Sequence, residues 1–385
     1  MKKFFLHMTT AALLLMSFTF MASCKDEDEN ESTSETELSG SISDTKVLDA
    51  STVYTITGPV IVEDGGVLDI PAGTVIKARK GFSKYILVLQ GGMIYVRGTA
   101  SDPVIMTADS ANATAAYWGG LIINGKAPLG GGLTGSTEIN SAYRYGGTVS
   151  GDSSGSISYL KLEYCGARSS ADVEHNGLTL NGVGSGTTLE NIYVLESGDD
   201  GVEFFGGTVD LTNLLVVNSD DDMFDFTQGY TGTLSNAYGI WESGYTSTES
   251  DPRGIEADGN FDGLYPDQTG QSDFTATNVT IDLRLDPSTS TTAQMMDVMK
   301  IRRGATITVT NALVKGTGTA VDLMDFSDSK GTGNTASSIS LTNSLTNTIT
   351  GKTVNPDATT YPSALVESGN TGCSTSLFVW TGYSF

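Results

Sequence analysis

The first regular pattern in the chain is an alternation of apolar and polar residues between Val53 and about Thr107. Apolar residues stand two positions apart, and glycine-containing turns separate one pair from the next. The pairs are Val60 and Val62, Leu68 and Ile70, Ile86 and Val88, and Ile94 and Val96. A period of two predicts strands of four or five residues with one buried face. Because the turns are tight and the strands short, the pattern favours a coil of successive strands over a β-sandwich.

The second pattern is a repeat of 22 residues within positions 189–241. The acidic pair at 199–200 returns at 221–222, and Glu203 returns as Asp225. A fixed period of this length, with short β-type runs in each copy, indicates a solenoid whose copies stack and share one core. We therefore predict an all-β fold, a single-stranded parallel β-helix with long loops. At about 22 residues a coil, it would have roughly ten to twelve coils.

Three motifs carry a family resemblance. They are WGGLIINGKAP from Trp118, NGLTLNGVGSGTTLEN from Asn176 and DDGVEFFGGTV from Asp199. Together they resemble a family of surface lipoproteins of Bacteroidetes-type bacteria in the broad pectin-lyase-like superfamily. The resemblance spans roughly positions 53–385 and implies that the β-helix is right-handed. It implies no particular activity, because that family has no agreed one.

The first 23 residues are typical of a targeting segment. Lys2 and Lys3 form a basic start, and an apolar run follows at 11–21. The sequence Met21-Ala22-Ser23-Cys24 resembles the lipobox of bacterial lipoproteins, which implies cleavage after position 23 and a lipid on Cys24. The alternative is an ordinary signal peptide with an incidental cysteine. A diacylated cysteine would hold the protein on a membrane.

Residues 24–45 are predicted to be an acidic tether, and residues 46–385 the β-helix domain. Acidic residues dominate from Lys25 to Glu31, with too little apolar content to fold. The run resembles the acidic export signal of surface lipoproteins in Bacteroidetes-type bacteria. This implies a lipid-anchored protein on the outer face of the outer membrane. A periplasm-facing lipoprotein with an acidic spacer is the alternative.

Charge and residue counts narrow the function. The formal charge of −24 argues against nucleic-acid binding and suits cations or neutral glycans as partners. The chain has two histidines, His7 in the leader and His175, so triads and multi-histidine metal sites would all depend on His175. Cys165 and Cys373 are far apart along the predicted stack, and we predict no disulfide between them.

Asparagines recur at similar positions of successive repeats. They are Asn191, Asn213, Asn236, Asn278, Asn311 and Asn343. We interpret them as an inward ladder at one corner of the coil, because asparagine tolerates a left-handed turn and its amide can bond the next coil. Ligand contact is the alternative.

Acidic residues recur in the same way. Asp200, Glu203, Asp222 and Asp225 would stack on one face, about 4.8 Å apart. Carboxylates that close repel each other and take up protons or hold a cation. Ca²⁺ is the cofactor that such oxygen clusters suggest. The alternative is a hydrated acidic edge whose aspartates cap turns.

A catalytic interpretation starts from Asp200, Asp221 and Asp222. Their spacing resembles that of the three acids in polygalacturonase-type glycosidases, which use one acid to protonate the leaving group and another to activate water. Lys300 and Arg302 echo, in reversed order, the substrate clamp of those enzymes. However, no histidine stands at the matching place in the next coil. Neutralisation of neighbouring acids is the favoured role of the two basic residues.

Aromatic residues in or beside the long loops at 110–156 and 242–272 are candidate ligand contacts. We select Trp118, Trp241 and Tyr245, because aromatic rings pack on sugar faces and loops on a stiff scaffold often bind ligands. Packing beneath the loops is the alternative. The favoured function is a non-catalytic glycan-binding, adhesion or structural role, with glycans or surface proteins as partners. A polysaccharide-degrading glycoside hydrolase or lyase is the alternative.

Overall fold

The computed structural model describes residues 36–170, 173–285, 294–353 and 363–385. The predicted signal peptide at 1–23 and the predicted lipidation site Cys24 lie outside these residues. Within the four described ranges, no helix is both long enough and apolar enough to cross a bilayer.

Strands make up most of the described chain. They are β1 Glu37–Ile42, β2 Thr45–Val47, β3 Val53–Val62, β4 Val67–Pro71, β5 Val75–Ala78, β6 Gly81–Val88, β7 Met93–Arg97, β8 Val104–Ala108, β9 Trp118–Asn124, β10 Gly135–Thr137, β11 Asn140–Tyr145, β12 Gly155–Glu163, β13 Leu178–Asn181, β14 Thr188–Ser197, β15 Val202–Phe205, β16 Leu211–Ser219, β17 Phe224–Thr227, β18 Thr233–Trp241, β19 Arg253–Asp258, β20 Asp273–Leu283, β21 Met295–Arg302, β22 Thr306–Gly316, β23 Ala320–Asp325, β24 Ser338–Leu345 and β25 Ser363–Val366. Short 3₁₀ helices lie at Gly130–Gly132, Phe261–Gly263 and Thr375–Thr381.

Each coil contributes to three parallel sheets. A long strand such as β16 bends near its third residue, so its first part belongs to sheet I and its remainder to sheet II. The short strand that follows, such as β17, belongs to sheet III. Sheet III stacks in the order β1, β3, β6, β9, β13, β15, β17, β19, β21 and β23. Strands β10 and β11 form a separate antiparallel hairpin within a loop.

The register confirms the fold prediction. Val202 pairs with Phe224, so the 22-residue repeat corresponds to one coil of a right-handed parallel β-helix. The alternating pairs of the first pattern also point inward as predicted: Val62, Leu68 and Ile86 are fully buried.

Aromatic side chains fill the middle of the core. The rings of Phe204 and Phe226 stack with centroids 4.8 Å apart, and Phe226 stacks on Phe274 at 4.1 Å. Phe204 and Phe226 are register partners on adjacent coils, so the spacing between strands sets the spacing between their rings. No single coil could bury such rings, and the core therefore exists only as a stack.

The predicted boundary at position 46 is wrong. Strand β1, inside the predicted tether, pairs in parallel with β3 and forms the first rung of sheet III. Leu38 and Ile42 are buried in the same core as the rest of the helix. The sequence of this segment suggests a tether because serine and glycine surround these two apolar residues. The two buried side chains are nevertheless sufficient to place it on the end of the stack.

The last residues of the chain cover the outer face of sheet II. We call residues 371–385 the C-terminal strap. Cys373 and Phe378 of the strap pack against Leu215 and Ile240. The Nζ of Lys161 donates to the carbonyl of Thr381 at 2.5 Å, which joins the strap to a coil 220 residues earlier. Both described cysteines are free and belong to different clusters, as Cys165 lies in the main core.

Candidate functional site

Two rows of polar side chains run along the outside of sheet III. The strand row consists of Thr179, Glu203, Asp225, Glu256, Lys300 and Asp325, which are consecutive register partners. The turn row lies in the turn just before each strand or in the strand's first residues, and it consists of Asn176, Asp200, Asp222, Arg253, Asp297 and Asp322. Val202 and Phe204 point into the core, so Glu203 between them points outward.

Carboxylates of the turn row join one coil to the next. The Oδ1 of Asp200 accepts a hydrogen bond from the backbone N–H of Asp222 at 2.9 Å. The Oδ1 of Asp222 accepts in turn from the N–H of Arg253 at 2.7 Å. Asp322 repeats the arrangement with the N–H of Lys352 at 2.5 Å. These aspartates therefore satisfy turn donors that the sheet leaves unpaired.

The first half of both rows is acidic and has few cations. Burial and the repulsion of neighbouring carboxylates raise the pKa of Asp200, Glu203, Asp222 and Asp225 well above their ordinary values. The Nδ2 of Asn176 donates to Oε2 of Glu203 at 2.7 Å. Repulsion by the carboxylate of Asp225 contributes, after burial, to the raised pKa of Glu203.

The second half of the rows is neutralised by basic side chains. Arg253 is 4% exposed, and its Nη1 lies 2.6 Å from Oε2 of Glu256. The Nζ of Lys300 lies 2.5 Å from Oδ2 of Asp325. Burial acts to raise the pKa of Asp325, but the hydrogen bonds from Lys300, Lys352 and Ser327 outweigh it and hold that pKa well below its ordinary value. The charge balance of the site therefore changes along the helix axis.

The acidic half brings together the four predicted metal ligands. Oxygens of Asp200, Glu203 and Asp225 lie within 4.8 Å of one another, and so do oxygens of Asp222, Asp225 and Glu256. Such carboxylate oxygens are the ligands that Ca²⁺ prefers. One oxygen each of Asp200 and Asp222 already accepts a backbone hydrogen bond. Ca²⁺ binding by this group stays a prediction.

The residues of the catalytic interpretation do not form one site. Oxygens of Asp199, Asp200 and Asp221 lie within 4.8 Å of one another, and burial raises the pKa of Asp221 to about 7. Lys300, however, lies on β21, two strands of sheet III beyond the strand that follows Asp222. At the usual strand spacing this separation is about 10 Å.

The two basic residues of that interpretation have other partners. Lys300 pairs with Asp325, and the Nε of Arg302 lies 2.6 Å from Oδ1 of Asp258. Arg302 also pairs with Glu256. Their contacts agree with the favoured sequence interpretation, in which they neutralise neighbouring acids.

His175 takes part in packing on the earlier coils. It is 1% exposed, its Nε2 lies 3.0 Å from the carbonyl oxygen of Phe82, and its ring packs against Phe82 and Tyr85. Burial lowers its pKa to about 4, so the imidazole is neutral at physiological pH. This environment makes His175 a packing residue of the helix.

The predicted aromatic contacts are wrong for both tryptophans. Trp118 and Trp241 are fully buried, and their indole N–H groups donate to the carbonyls of Glu163 at 2.9 Å and Ser219 at 3.0 Å. A large ring at the end of a strand fills the space beneath the adjoining loop. Tyr245 is only partly buried. It packs on Trp241 and lines a groove beside Arg168.

A ladder of asparagines occupies the corner between sheets I and II. Each Nδ2 donates to the Oδ1 of the preceding asparagine, at 2.7–2.9 Å. Its members are Asn191, Asn213, Asn236, Asn278 and Asn311, all with positive φ. The prediction is wrong for Asn343, which pairs with Val314 within the sheet and whose Oδ1 accepts from the N–H of Leu345. Strap residues Thr371 and Gly372 cap the ladder by donating to Asn311.

A cleft between two loops was not predicted from the sequence. The first loop follows β9 and the second follows β19. The cleft has a volume of about 210 Å³, and its lining includes Thr134, Ser136, Gln228, Phe261, Tyr265 and Gln268. Phe261 is 47% exposed and Tyr265 42% exposed. The signal for it was the aromatic content of the second loop, but register across these insertions cannot be read from spacing.

Comparisons with known proteins agree with this architecture. The model of the pectate-lyase-like beta helix domain matches residues 40–383. Searches of curated proteins and of solved structures found no match. Because the match covers most of the sequence and the sheets have the expected parallel stacking, the chain belongs to the family of pectate-lyase-like beta helix domains.

Proposed function

We propose that this protein is a lipid-anchored β-helix of the bacterial cell surface that binds glycans without cleaving them. The observation that supports the proposal is the use of its acidic and basic residues. The groups that a hydrolase or lyase would need are engaged in contacts that hold one coil to the next.

The geometry of the acids argues against an inverting hydrolase. Such an enzyme keeps its two carboxyl groups about 6.5–9.5 Å apart, which leaves room for the attacking water. Oxygens of Asp199, Asp200 and Asp221 lie within 4.8 Å of one another. One oxygen each of Asp200 and Asp222 is also held by a backbone hydrogen bond to the next coil.

A lyase would need a free basic group beside bound substrate. Lys300, Arg302 and Arg253 lie in or beside the two rows, and all three are in ion pairs that are largely buried. Proton abstraction would require breaking such a pair and exposing the remaining carboxylate. Breaking a buried pair costs several kcal/mol, about 3–5 in measured cases.

The rest of the molecule suits a binding role. A stacked β-helix is a stiff scaffold, and long loops project from its coils. The formal charge of −24 keeps anionic surfaces away and leaves neutral glycans as compatible partners. Lipid on Cys24 would present this scaffold outward from the membrane.

Product analysis tests the non-catalytic assignment. The full-length lipoprotein, purified in detergent, is incubated with pectins, other uronans, and neutral plant and host glycans. We expect no new reducing ends and no unsaturated ends, and glycan binding that survives Asp222→Asn. Asparagine at 222 keeps an oxygen for the N–H of Arg253, so the fold should persist. Asp102→Asn, an exposed acid elsewhere, is the control.

Turnover would reverse the assignment under one condition. If products form, and if they disappear in Asp222→Asn while the melting temperature is unchanged, the protein is a polysaccharide-degrading enzyme. Products that persist in both variants would indicate a contaminating activity.

A further inference from the structure

We infer that the cleft between the two loops is the glycan-binding site, and that it accepts a neutral sugar unit. We call it the loop cleft. The inference rests on the proposed function and adds the position of the site and the class of ligand. It concerns neither the acidic rows nor the groove beside Arg168.

The loop cleft is built from two segments that contact each other. The N–H of Gly131 in the first loop donates to the carbonyl of Thr269 in the second at 2.7 Å. The backbones come so close at Gly130 that an added Cβ would lie 2.5 Å from the carbonyl oxygen of Gly270. Glycine is therefore required where the loops meet, and the cleft has fixed walls.

The second loop is also held firmly to the helix. The Oδ1 of Asn260 accepts from the N–H of Tyr265 at 2.9 Å, and its Nδ2 donates to the carbonyl of Arg303 at 2.9 Å. Gln271 adds a hydrogen bond to the carbonyl of Tyr265 at 3.1 Å. Because Asn260 is fully buried, the position of Tyr265 is fixed by the core below it. A preorganised wall reduces the entropy lost on binding.

Two aromatic rings give the loop cleft its binding surface. Phe261 and Tyr265 are about half exposed, whereas most aromatic side chains of the described core are buried. Rings of this kind pack against the C–H faces of sugars. With about 210 Å³, the cleft is smaller than the roughly 300–1,000 Å³ of sites for drug-sized ligands. It therefore suits one sugar unit of a longer chain.

Polar groups on the opposite wall match sugar hydroxyls. Thr134, Ser136 and Gln228 line this side of the loop cleft, and Gln268 lies between the walls. The Oε1 of Gln268 is buried and has no hydrogen-bond partner in the protein. An unpaired buried acceptor is unfavourable, and a hydroxyl donor from a ligand would satisfy it.

The absence of charge from the lining decides the class of sugar. None of the residues that line the loop cleft is acidic or basic. Arg144 is not a lining residue, and its guanidinium donates to the hydroxyls of Ser136 at 2.5 Å and Thr134 at 2.7 Å. A uronate would enter a site with no cationic residue in its lining, on a strongly acidic protein, so neutral sugars are favoured.

Binding measurements on the full-length lipoprotein in detergent test the inference. A glycan array is screened first, followed by titration with hexasaccharides of glucose, mannose, xylose and galacturonate. We expect a neutral hexasaccharide to bind and the galacturonate chain not to bind. Tyr265→Ala and Phe261→Ala should each weaken binding about tenfold or more, through loss of the ring that packs on the sugar.

Leu264→Ala is the matched control, because Leu264 is 57% exposed on the same loop but does not line the cleft. Its affinity should equal that of the unaltered protein, and all variants should share one melting temperature. Binding that is unaffected by both ring substitutions would overturn the loop cleft but leave the glycan-binding function. Preference for galacturonate would overturn the neutral class. An array without any bound glycan would overturn both proposals.

Discussion

Each asparagine of the ladder has two roles at the corner between sheets I and II. Its backbone adopts a left-handed conformation, with φ of 61° at Asn213, which asparagine tolerates better than other residues with a Cβ. Its amide also bonds to the asparagines above and below, at 2.9 Å on both sides of Asn213. The corner therefore depends on side-chain chemistry as well as on backbone freedom.

Substitution of Asn213 should separate these two roles. Asn213→Leu is expected to lower the free energy of unfolding by about 1–3 kcal/mol, because neighbouring amides lose partners, with added strain at positive φ. Asn213→Gly keeps the left-handed turn and should lose only the amide contribution. Denaturant unfolding measures both.

Asn112 and Asn343 provide the controls for this experiment. Asn112 is exposed, and Asn343 lies outside the ladder. Replacing either one by leucine should change stability by much less than Asn213→Leu. Equal losses at all three positions would contradict a ladder that stabilises the fold.

Residue types alone could identify the ladder but not its last member. The left-handed preference of asparagine is local, and it correctly selects Asn191 and the four ladder residues that follow. Asn343 has a similar spacing, but a register shift between β22 and β24 removes it from the corner. The buried tryptophans were also beyond local sequence signals. The sequence shows a large ring near a loop, and only packing determines which side of the loop the ring occupies.

At the scale of the element, the strand row stores protons. The pKa values of Glu203 and Asp225 are raised in the folded protein by burial and by neighbouring carboxylates, whereas in the unfolded chain they are ordinary. Above about pH 4 the native state therefore binds more protons than the unfolded state, and stability falls as pH rises. Asp325, whose pKa is lowered, acts in the opposite direction and loses its contribution only below that pH.

The melting temperature should therefore fall between about pH 4 and pH 8. Asp225→Asn removes one of the coupled carboxyl groups and should make this fall smaller, while Asp102→Asn should leave it unchanged. Differential scanning calorimetry at constant ionic strength measures the effect. A pH dependence that is the same in Asp225→Asn as in the unaltered protein would contradict the raised pKa of Asp225.

Ca²⁺ should act on the acidic residues of both rows at high pH. When Asp200, Glu203, Asp222 and Asp225 are ionised, a bound divalent cation would offset their repulsion and stabilise the native state by mass action. At pH 8 we expect millimolar Ca²⁺ to raise the melting temperature and a chelator to reverse the rise. The response should be lost in Asp225→Asn. A melt that does not depend on Ca²⁺ would leave an acidic row that holds only protons.

The residues of the strand row and the turn row could be predicted from the sequence only where successive coils have equal length. Asp222 follows Asp200 by one 22-residue repeat, and Asp225 follows Glu203 by the same interval. The structure stacks both pairs as the spacing indicates. Arg253 and Asp297 continue the turn row, but loop insertions separate them from their partners in sequence. Since insertion length has no fixed relation to register, the cation that neutralises this part of the site could not be placed.

At the scale of the whole molecule, the fold could be predicted from the sequence because every coil buries its apolar side chains against its neighbours in the same way. The alternating pairs of the first coils and the repeat at 189–241 both specify parallel stacking. The start of the helix was less predictable, since β1 contributes only Leu38 and Ile42 to the core. An end coil packs against a neighbouring coil on one side only, so it needs fewer apolar residues and its apolar pattern in the sequence is weaker.

The predicted localisation of the protein can be tested with variants of its N-terminal residues. Cys24→Ala should abolish acylation and release the protein from the membrane fraction, because the lipid would be its anchor. Neutral residues at 25–29 should leave acylation intact and remove surface exposure. Protease treatment of intact cells distinguishes these outcomes. Cleavage of the second variant by external protease would contradict the acidic export signal.

The C-terminal strap imposes an order on folding. Contacts between adjacent coils can form as the chain emerges, one coil at a time, whereas the hydrogen bond from Lys161 to Thr381 must wait for the last residues. Until then the outer faces of Leu215 and Ile240 lack their cover. A nascent chain therefore passes through a stage with a long apolar flank exposed, when it is open to chaperones and to misassociation. Docking of the strap ends that stage.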